Sequence, residues 1–376
     1  MSRNALHCLE LDALTTEAVT CAWLRPLGLL RGNAASRAVA AGSALPLGGG
    51  EIAFTAVEFL ARQPDASVTS ALAALPRLRA WAAARGTACA TKLTQRLDAL
   101  SGSRVPWAGF ALDRPLVMGI VNVTPDSFSD GGAFAAPERA VARGRALREA
   151  GADILDIGGE STRPGAAPVT AEEELRRIAP VVRALAADGA AVSVDTRHAT
   201  VMAASLAAGA RIVNDVSALA GDRDSIDVVA RAGAAVVLMH MQGKPATMQR
   251  DPHYVLASLD VIEALEARIA ACERAGIERS RIVIDPGIGF GKTTPHNLEI
   301  LARLALFHAL GTGVMIGLSR KSLVGRIAPA AVGERLPGSL AGALHALGEG
   351  VQILRVHDVA ETRQAIAVWR AIGAGA

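Results

Sequence analysis

The sequence predicts an α/β protein, a (β/α)8 TIM barrel over residues 111–376 preceded by a smaller N-terminal α/β or mostly helical region over 1–110. Three observations carry that expectation. From Pro115 onward short apolar runs alternate with longer helical segments, the runs number eight, and each closes in a polar or glycine residue. Eight strand–helix units in roughly 260 residues match the usual size of such a barrel. A doubly wound open sheet usually has fewer strands and, when it binds a dinucleotide, a glycine fingerprint after the first strand, which this chain lacks.

Residues 1–110 are less regular. The stretch 23–30 is apolar but broken by Pro26 and Gly28, and Gly48-Gly-Gly50 is a clear breaker. Residues 52–60 suit a strand or a short helix, while 68–84 and 89–100 have the three- and four-residue apolar spacing of helices. Residues 101–106 have linker composition. No metal-ligand spacing, phosphate loop or nucleophile motif stands out before 110, so a packing or interface role is the default there.

The barrel runs are 116–121, 154–157, 191–194, 212–213, 235–239, 282–284, 314–316 and 352–356. Most are continuously apolar, as parallel strands buried on both faces require. Thr170-x-x-Glu173 reads as a capping box and Asp358-x-x-Glu361 resembles one. Gly151, Gly209 and Gly233 each follow an Ala-rich helical segment, where a C-terminal glycine belongs. Pro137 followed by Glu138 makes a conventional start for the first barrel helix.

Composition narrows the class. With 51% hydrophobic and 20% charged residues the chain is globular, and a formal charge of +3 gives no case for nucleic-acid binding. Cys8, Cys21, Cys89 and Cys272 have no C-x-x-C spacing, which points to reduced thiols and no structural zinc. No secretory signal and no apolar stretch of about 18 residues is evident. A soluble cytoplasmic protein is expected.

In a barrel the chemistry sits where strands end and βα loops begin. The residues there are Asn122, Asp156, Asp195, Asn214, His240, Asp285, Ser319 with Arg320 and Lys321, and Arg355 with His357. Any one alone is more often a cap or a solvated residue, but a ring of polar groups at an apolar barrel top needs partners. Asp195 and Asp285 with Asn214 suit a heterocycle carrying several N–H donors, since a carboxylate accepts two such bonds at once. Capping by Asp195 and turn formation by Asp285 are the plainer readings.

Gly158-Gly-Glu-Ser-Thr-Arg-Pro-Gly165 is a glycine-flanked loop in which Arg163 suits an anion. Lys321 and Ser322 fall near a helix start, where an anion is also favoured. Alternation puts Arg355 and His357 on one face of the last strand, so a phosphate-bearing ligand is inferred unless a carboxylate such as Asp358 satisfies them. The first run ends in Asn122-Val-Thr-Pro-Asp-Ser-Phe-Ser-Asp-Gly-Gly132, a polar loop that suits a lid.

These motifs carry a resemblance. Residues 115–372 resemble the dihydropteroate synthase family of pterin-binding (β/α)8 enzymes. The matching segments are the 122–132 and 151–165 stretches, Ser193-Val-Asp-Thr196, Asn214-Asp-Val216, Asp285-Pro-Gly-Ile-Gly-Phe-Gly-Lys292, Ser319-Arg-Lys321 and Arg355-Val-His-Asp358. The resemblance implies condensation of hydroxymethyl-dihydropterin diphosphate with p-aminobenzoate through SN1-like loss of diphosphate. It places the pterin on Asp195, Asn214, Asp285 and Lys321, with Met239 and Phe290 shaping the pocket and Arg355 along the ring. Asn122 would ligate Mg2+. Arg163, Arg355 and His357 would bind diphosphate, and Thr162, Pro164, Lys321 and Ser322 would place p-aminobenzoate. Asp195, Lys321, Arg355 and His357 are the expected catalytic set. A homodimer and sensitivity to sulfonamides are implied as well.

Two other readings compete. A pterin-binding methyltransferase shares the barrel but should lack the combined Thr-Pro-Asp-Ser-Phe, Ser-Thr-Arg-Pro-Gly and Ser-Arg-Lys loops. A catalytically silent paralogue would have lost Arg163, Lys321 or His357, and all three are present.

Overall fold

The computed structural model describes residues 6–17, 21–124, 132–161, 168–245 and 247–375. The N-terminal strands are β1 (Leu6–Leu9), β2 (Trp23–Leu27), β3 (Leu30–Arg31), β4 (Leu45–Pro46), β5 (Ile52–Phe54), β6 (Ala56–Arg62) and β7 (Val68–Ala74). They form a four-stranded sheet in the order β1-β7-β6-β2 and a three-stranded sheet in the order β3-β5-β4. Helices α1 (Gly32–Ala40), α2 (Leu75–Ala84) and α3 (Thr87–Ser101) complete the region.

One sequence expectation fails here. Residues 68–84 are not one helix: 68–74 pair along their whole length with β6, and the helix begins only at Leu75. Val68, Ser70, Ala71 and Ala73 face inward, and Thr69, Leu72 and Ala74 are more open. That near-alternation is a weak strand signal in so Ala-rich a stretch, and pairing with β6 decides it.

Eight parallel strands then close into a barrel. They are β8 (Leu116–Asn122), β9 (Ile154–Gly158), β10 (Val192–Asp195), β11 (Ile212–Asp215), β12 (Ala235–Met239), β13 (Ile282–Asp285), β14 (Gly313–Ile316) and β15 (Ile353–Val356). Around them lie α4 (Gly132–Glu149), α5 (Ala171–Ala187), α6 (Ala199–Ala207), α7 (Ser225–Ala232), α8 (Ala257–Arg274), α9 (Thr294–Leu301), α10 (Ser322–Ile327), α11 (Leu336–Gly348) and α12 (Val359–Ala374).

Side-chain alternation separates two cores. Leu116, Met118, Ile154, Ile212, Val237, Val283, Met315 and Ile353 fill the interior, with Trp107 at the lower end donating its Nε1–H to the Arg281 carbonyl at 3.0 Å. The outward residues, such as Val117, Leu155, Val213 and Ile284, pack under the helices.

Two helix starts depart from expectation. The first barrel helix begins at Gly132, so Pro137 lies inside it instead of at its head. Asp358 precedes α12 without capping it, because its carboxylate is taken by Arg320, with Nε to Oδ2 at 3.0 Å. At α5 the Thr170 hydroxyl does accept the Glu173 N–H, at 3.3 Å, while the Glu173 carboxylate turns to Arg176 and Arg177.

The N-terminal region packs on the flank and lower end of the barrel. Leu60 and Val68 share the core of the barrel helices, and Ala305 belongs to the N-terminal core. Ion pairs join Arg62 to Asp260 and Glu263 and Arg370 to Glu51, and the Arg104 guanidinium donates to the His308 carbonyl at 3.0 Å. All four cysteines are free thiols. Among the described residues no helix is long and apolar enough to cross a membrane.

Candidate active site

Strand register brings the polar ends together. Asn122 pairs with Gly158, Gly158 with Asp195, and Asp195 with Asn214, so these positions share one level of the mouth. Met239 pairs with Asp285 further round.

Arg355 organises this level. Its Nε donates to Asp156 Oδ2 at 2.6 Å and its Nη2 to Asp195 Oδ2 at 2.6 Å. The Asn214 amide donates to the same Asp156 oxygen at 3.0 Å. Asp156 is fully buried, and its Oδ1 has no partner among the described residues. Burial alone would lower the Arg355 pKa, but Asp156 and Asp195 reverse that and hold its proton more firmly than water does. Burial pushes the Asp195 carboxyl up to about 7, against the pull of Arg355 and with the help of Asp156 and Asp215.

This corrects one inference from the sequence. Arg355 does face the mouth, but two carboxylates already satisfy it, so its presence alone does not require a phosphate. Asp358, the alternative partner, is engaged by Arg320.

The second half of the mouth comes from β13 and the loop after β14. Asp285 is 4% exposed and accepts the Gly287 N–H at 2.7 Å. Burial raises its pKa while Lys321 opposes the shift. Lys321 precedes α10 and turns back across the mouth: Nζ donates to the Ile288 carbonyl at 2.5 Å and lies 4.8 Å from the Phe290 ring centroid. Burial lowers the Lys321 ammonium to about 8, opposed by Asp285. A Cβ placed on Gly317 would stand 3.7 Å from Lys321 Nζ and 4.0 Å from Asp285 Oδ2, so these groups converge over a bare stretch of backbone.

Lys321 reaches this position because the residue before it is held in an unusual conformation. Arg320 has φ +58°, rare for a side chain of its size. Its N–H donates to Ser339 Oγ at 2.9 Å, its carbonyl accepts from Arg335 at 3.2 Å, and its guanidinium is fixed on Asp358. Three restraints on one residue hold the strain in place.

The remaining expected residues fall around this pair of clusters. His357 Nδ1 lies 3.0 Å from Ser319 Oγ, which also accepts the His357 N–H at 3.1 Å. Ser322 opens α10 and is exposed; Met239 is buried beneath the Asp285 strand end. Asn122 is half-buried at the end of β8. Thr162, Arg163 and Pro164, like Asp126 and Asp130 of the lid expectation, lie outside the described residues.

Sequence reasoning missed the supporting shell. Arg197 grips Glu160 with two hydrogen bonds, at 2.9 and 3.0 Å, tying the loop after β9 to the loop after β10. Glu160 Oε1 also accepts the Val169 N–H at 3.1 Å. Burial would raise Glu160, yet Arg197 and that N–H hold it below the usual carboxylate range. Glu174, fully buried in α5, accepts the Thr196 hydroxyl at 2.9 Å, and burial pushes its carboxyl up to about 8. Asp156 was legible as a strand-end carboxylate, but nothing local marks it as a partner of Arg355, 199 positions away.

Residues 118–357 match the model of a family described as pterin binding enzyme. The dihydropteroate synthase of Escherichia coli K12 is 47% identical over 258 residues, covering 68% of this chain and 91% of that protein. A solved Xanthomonas albilineans dihydropteroate synthase with 4-aminobenzoic acid superposes with a TM-score of 0.67 at 50% identity, covering 71% of this chain and 97% of that one. A Yersinia pestis dihydropteroate synthase in a sulfonamide drug complex gives 0.67 at 44% identity, covering 70% and 96%.

Proposed function

Because the chain belongs to the pterin-binding enzyme family, among its dihydropteroate synthases, we propose that this mouth condenses hydroxymethyl-dihydropterin diphosphate with p-aminobenzoate, giving dihydropteroate and diphosphate. The protein is a transferase of folate biosynthesis. The observation that carries the residue assignment is the convergence of Asp195, Asn214, Asp285, Lys321 and Arg355 on one barrel end.

In this reading Asp285 and Asp195 accept the N–H donors of the pterin, and Asn214 serves both donors and acceptors. Met239 and Phe290 flank the ring and Arg355 lies along it. The dihydropterin pushes electrons toward its exocyclic methylene, so the C–O bond to diphosphate breaks first and leaves a cationic pterin. Asp195 and Asp285 stabilise that cation where it forms. The p-aminobenzoate amine, neutral near pH 7, then attacks the methylene carbon and gives up a proton to water. Its placement on Thr162, Pro164, Lys321 and Ser322 replaces a strong base. His357 and Arg163 receive the diphosphate, with Arg355 at the junction.

Asn122 fits the Mg2+ that the family resemblance implies. It offers one neutral oxygen at the mouth, and among the described residues no cluster of three His, Cys, Asp or Glu is poised to hold a metal. Mg2+ commonly takes one or two protein oxygens and fills the remainder with phosphate and water. When bound it neutralises charge on the diphosphate. On the same resemblance the protein works as a cytoplasmic homodimer, which light scattering on purified protein tests for the oligomer.

The deciding assay is release of diphosphate from the pterin substrate, dependent on p-aminobenzoate and Mg2+. No release above background from folded protein overturns the reading. A sulfonamide competing with p-aminobenzoate is the matching inhibition result.

A further inference from the structure

We propose that Lys292 is a positioning residue for the pterin pocket, its ammonium tying loop 286–292 to the end of β12 by gathering the carbonyl oxygens of Gly287, Phe290 and His240. The inference rests on the pterin-binding reading of the mouth and extends it to a residue that touches no substrate.

Lys292 is completely buried. Its Nζ lies 2.9 Å from the Gly287 carbonyl oxygen, 3.0 Å from that of Phe290, 3.2 Å from that of His240 and 2.9 Å from His240 Nδ1, so its three N–H groups are shared among four acceptors. No carboxylate among the described residues lies within ion-pair distance of it. Burial lowers the Lys292 ammonium to about 7, against the pull of Asp285, and the carbonyl dipoles and an imidazole lone pair are what its charged form has for direct partners. Burial, together with the Lys292 charge, lowers His240 to about 3, so its ring is neutral and free to accept.

The loop so gathered holds the pterin-facing groups. Its Gly287 N–H orients Asp285, its Ile288 carbonyl receives Lys321, and its Phe290 ring lies under the Lys321 ammonium. Three more of its backbone groups are paired. The Gly289 N–H reaches Asn297 Oδ1 at 2.8 Å, the Gly289 carbonyl accepts from Gln249 at 2.6 Å, and the Gly291 carbonyl accepts from Tyr254 at 2.8 Å. Two positions require glycine for the approach. Gly287 has φ +71°, and a Cβ there would fall 1.9 Å from the His240 carbonyl oxygen; at Gly291, with φ +60°, it would fall 2.4 Å from that of Gln242. Backbone thus packs on backbone between the two loops, and of the two carbonyls crowded there, that of His240 also reaches Lys292.

A purely structural lysine would affect stability and both substrates alike. A positioning lysine acts on the pterin side, because Asp285, Phe290 and the Lys321 anchor all hang from its loop. The test uses the full chain with Lys292→Met, one atom shorter and without a side-chain donor, and Lys292→Gln, of the same length as Met with two N–H donors. Pterin diphosphate affinity, read directly by fluorescence, should fall at least 30-fold in the Met variant, while KM for p-aminobenzoate stays within threefold. The Gln variant should recover part of the loss. Hydrogen exchange at 286–292 should accelerate in the Met variant.

Unchanged pterin affinity, equal weakening of both substrates, or unchanged exchange in the loop overturns the proposal. If Lys292→Met does not fold, Lys292→Gln carries the same two-substrate comparison and the same exchange measurement against the unmodified protein. Absence of diphosphate release by the unmodified protein overturns the synthase reading, whereas the exchange result judges the tether by itself.

Discussion

Arg355 Nη2 donates to Asp195 Oδ2 at 2.6 Å, joining β15 to β10 across the top of the barrel. With Asp156 on its Nε, the guanidinium sits between two carboxylates that would otherwise repel each other. A planar fork does this and a single ammonium does not.

Replacing Arg355 by Lys should therefore cost more than a lost contact. Lysine serves one carboxylate and leaves the other buried without a partner. Diphosphate-release assays should show kcat/KM down by about 100-fold or more, equivalent to ~3 kcal/mol, with a lower Tm. A variant within threefold of the parent sinks the assignment.

The pH profile should be narrow. Below about 7 Asp195 takes up a proton and loses its charge against Arg355 and the pterin; above about 8 Lys321 loses its proton and its hold on Asp285. kcat/KM for pterin diphosphate should fall on both sides, and Lys321→Arg should move the alkaline limb upward, whatever it does to the absolute rate. A flat profile from pH 6 to 9 contradicts both roles.

Glu174 makes a stability prediction with a definite sign. Its folded carboxyl titrates near 8 and an unfolded one near 4.5, so native Glu174 keeps a proton that the unfolded chain has released. Stability from this group is fully present below about 4.5 and declines as pH rises toward 8. Glu174→Gln removes that decline. Urea titrations should find the variant more stable by roughly 2–5 kcal/mol at pH 9, with the gap closing near pH 4.5. Equal stability at pH 9 refutes it.

Deleting the residues before Arg104 exposes Ala305, Ala309 and Trp369, which pack on the N-terminal core. That face lies away from the strand ends that carry the chemistry. The shortened chain should melt several degrees lower and aggregate more readily, while the folded fraction keeps kcat/KM within about threefold. A tenfold loss of kcat/KM in that fraction would assign the region a catalytic part.

What was legible in the sequence follows from the range of the interactions concerned. The eight strands are fixed by short apolar runs, and the strand-end positions of Asp195, Asn214 and Asp285 follow from where those runs stop. The strand at 68–74 has the local pattern of a helix because its pairing with 56–62 is tertiary, and Ala and Leu serve either state. Arg355's dependence on Asp156, Glu160's grip by Arg197 and the gathering of three carbonyls by Lys292 are all contacts between segments far apart in the chain or between turns of one loop. No local periodicity encodes them. Composition did reveal that the loop from Asp285 to Lys292 is glycine-rich; only the backbone shows which of its glycines are pressed against a neighbouring carbonyl.

Trp107 closes the other end of the barrel, 1% exposed and anchored on Arg281. Among the described residues the barrel is thus packed shut below, and its chemistry opens at the strand ends. Pterin diphosphate and arylamine enter, and diphosphate and dihydropteroate leave, by the same aperture, so each departing product obstructs the next arrival. Product must therefore clear that mouth before the next pair of substrates can occupy it.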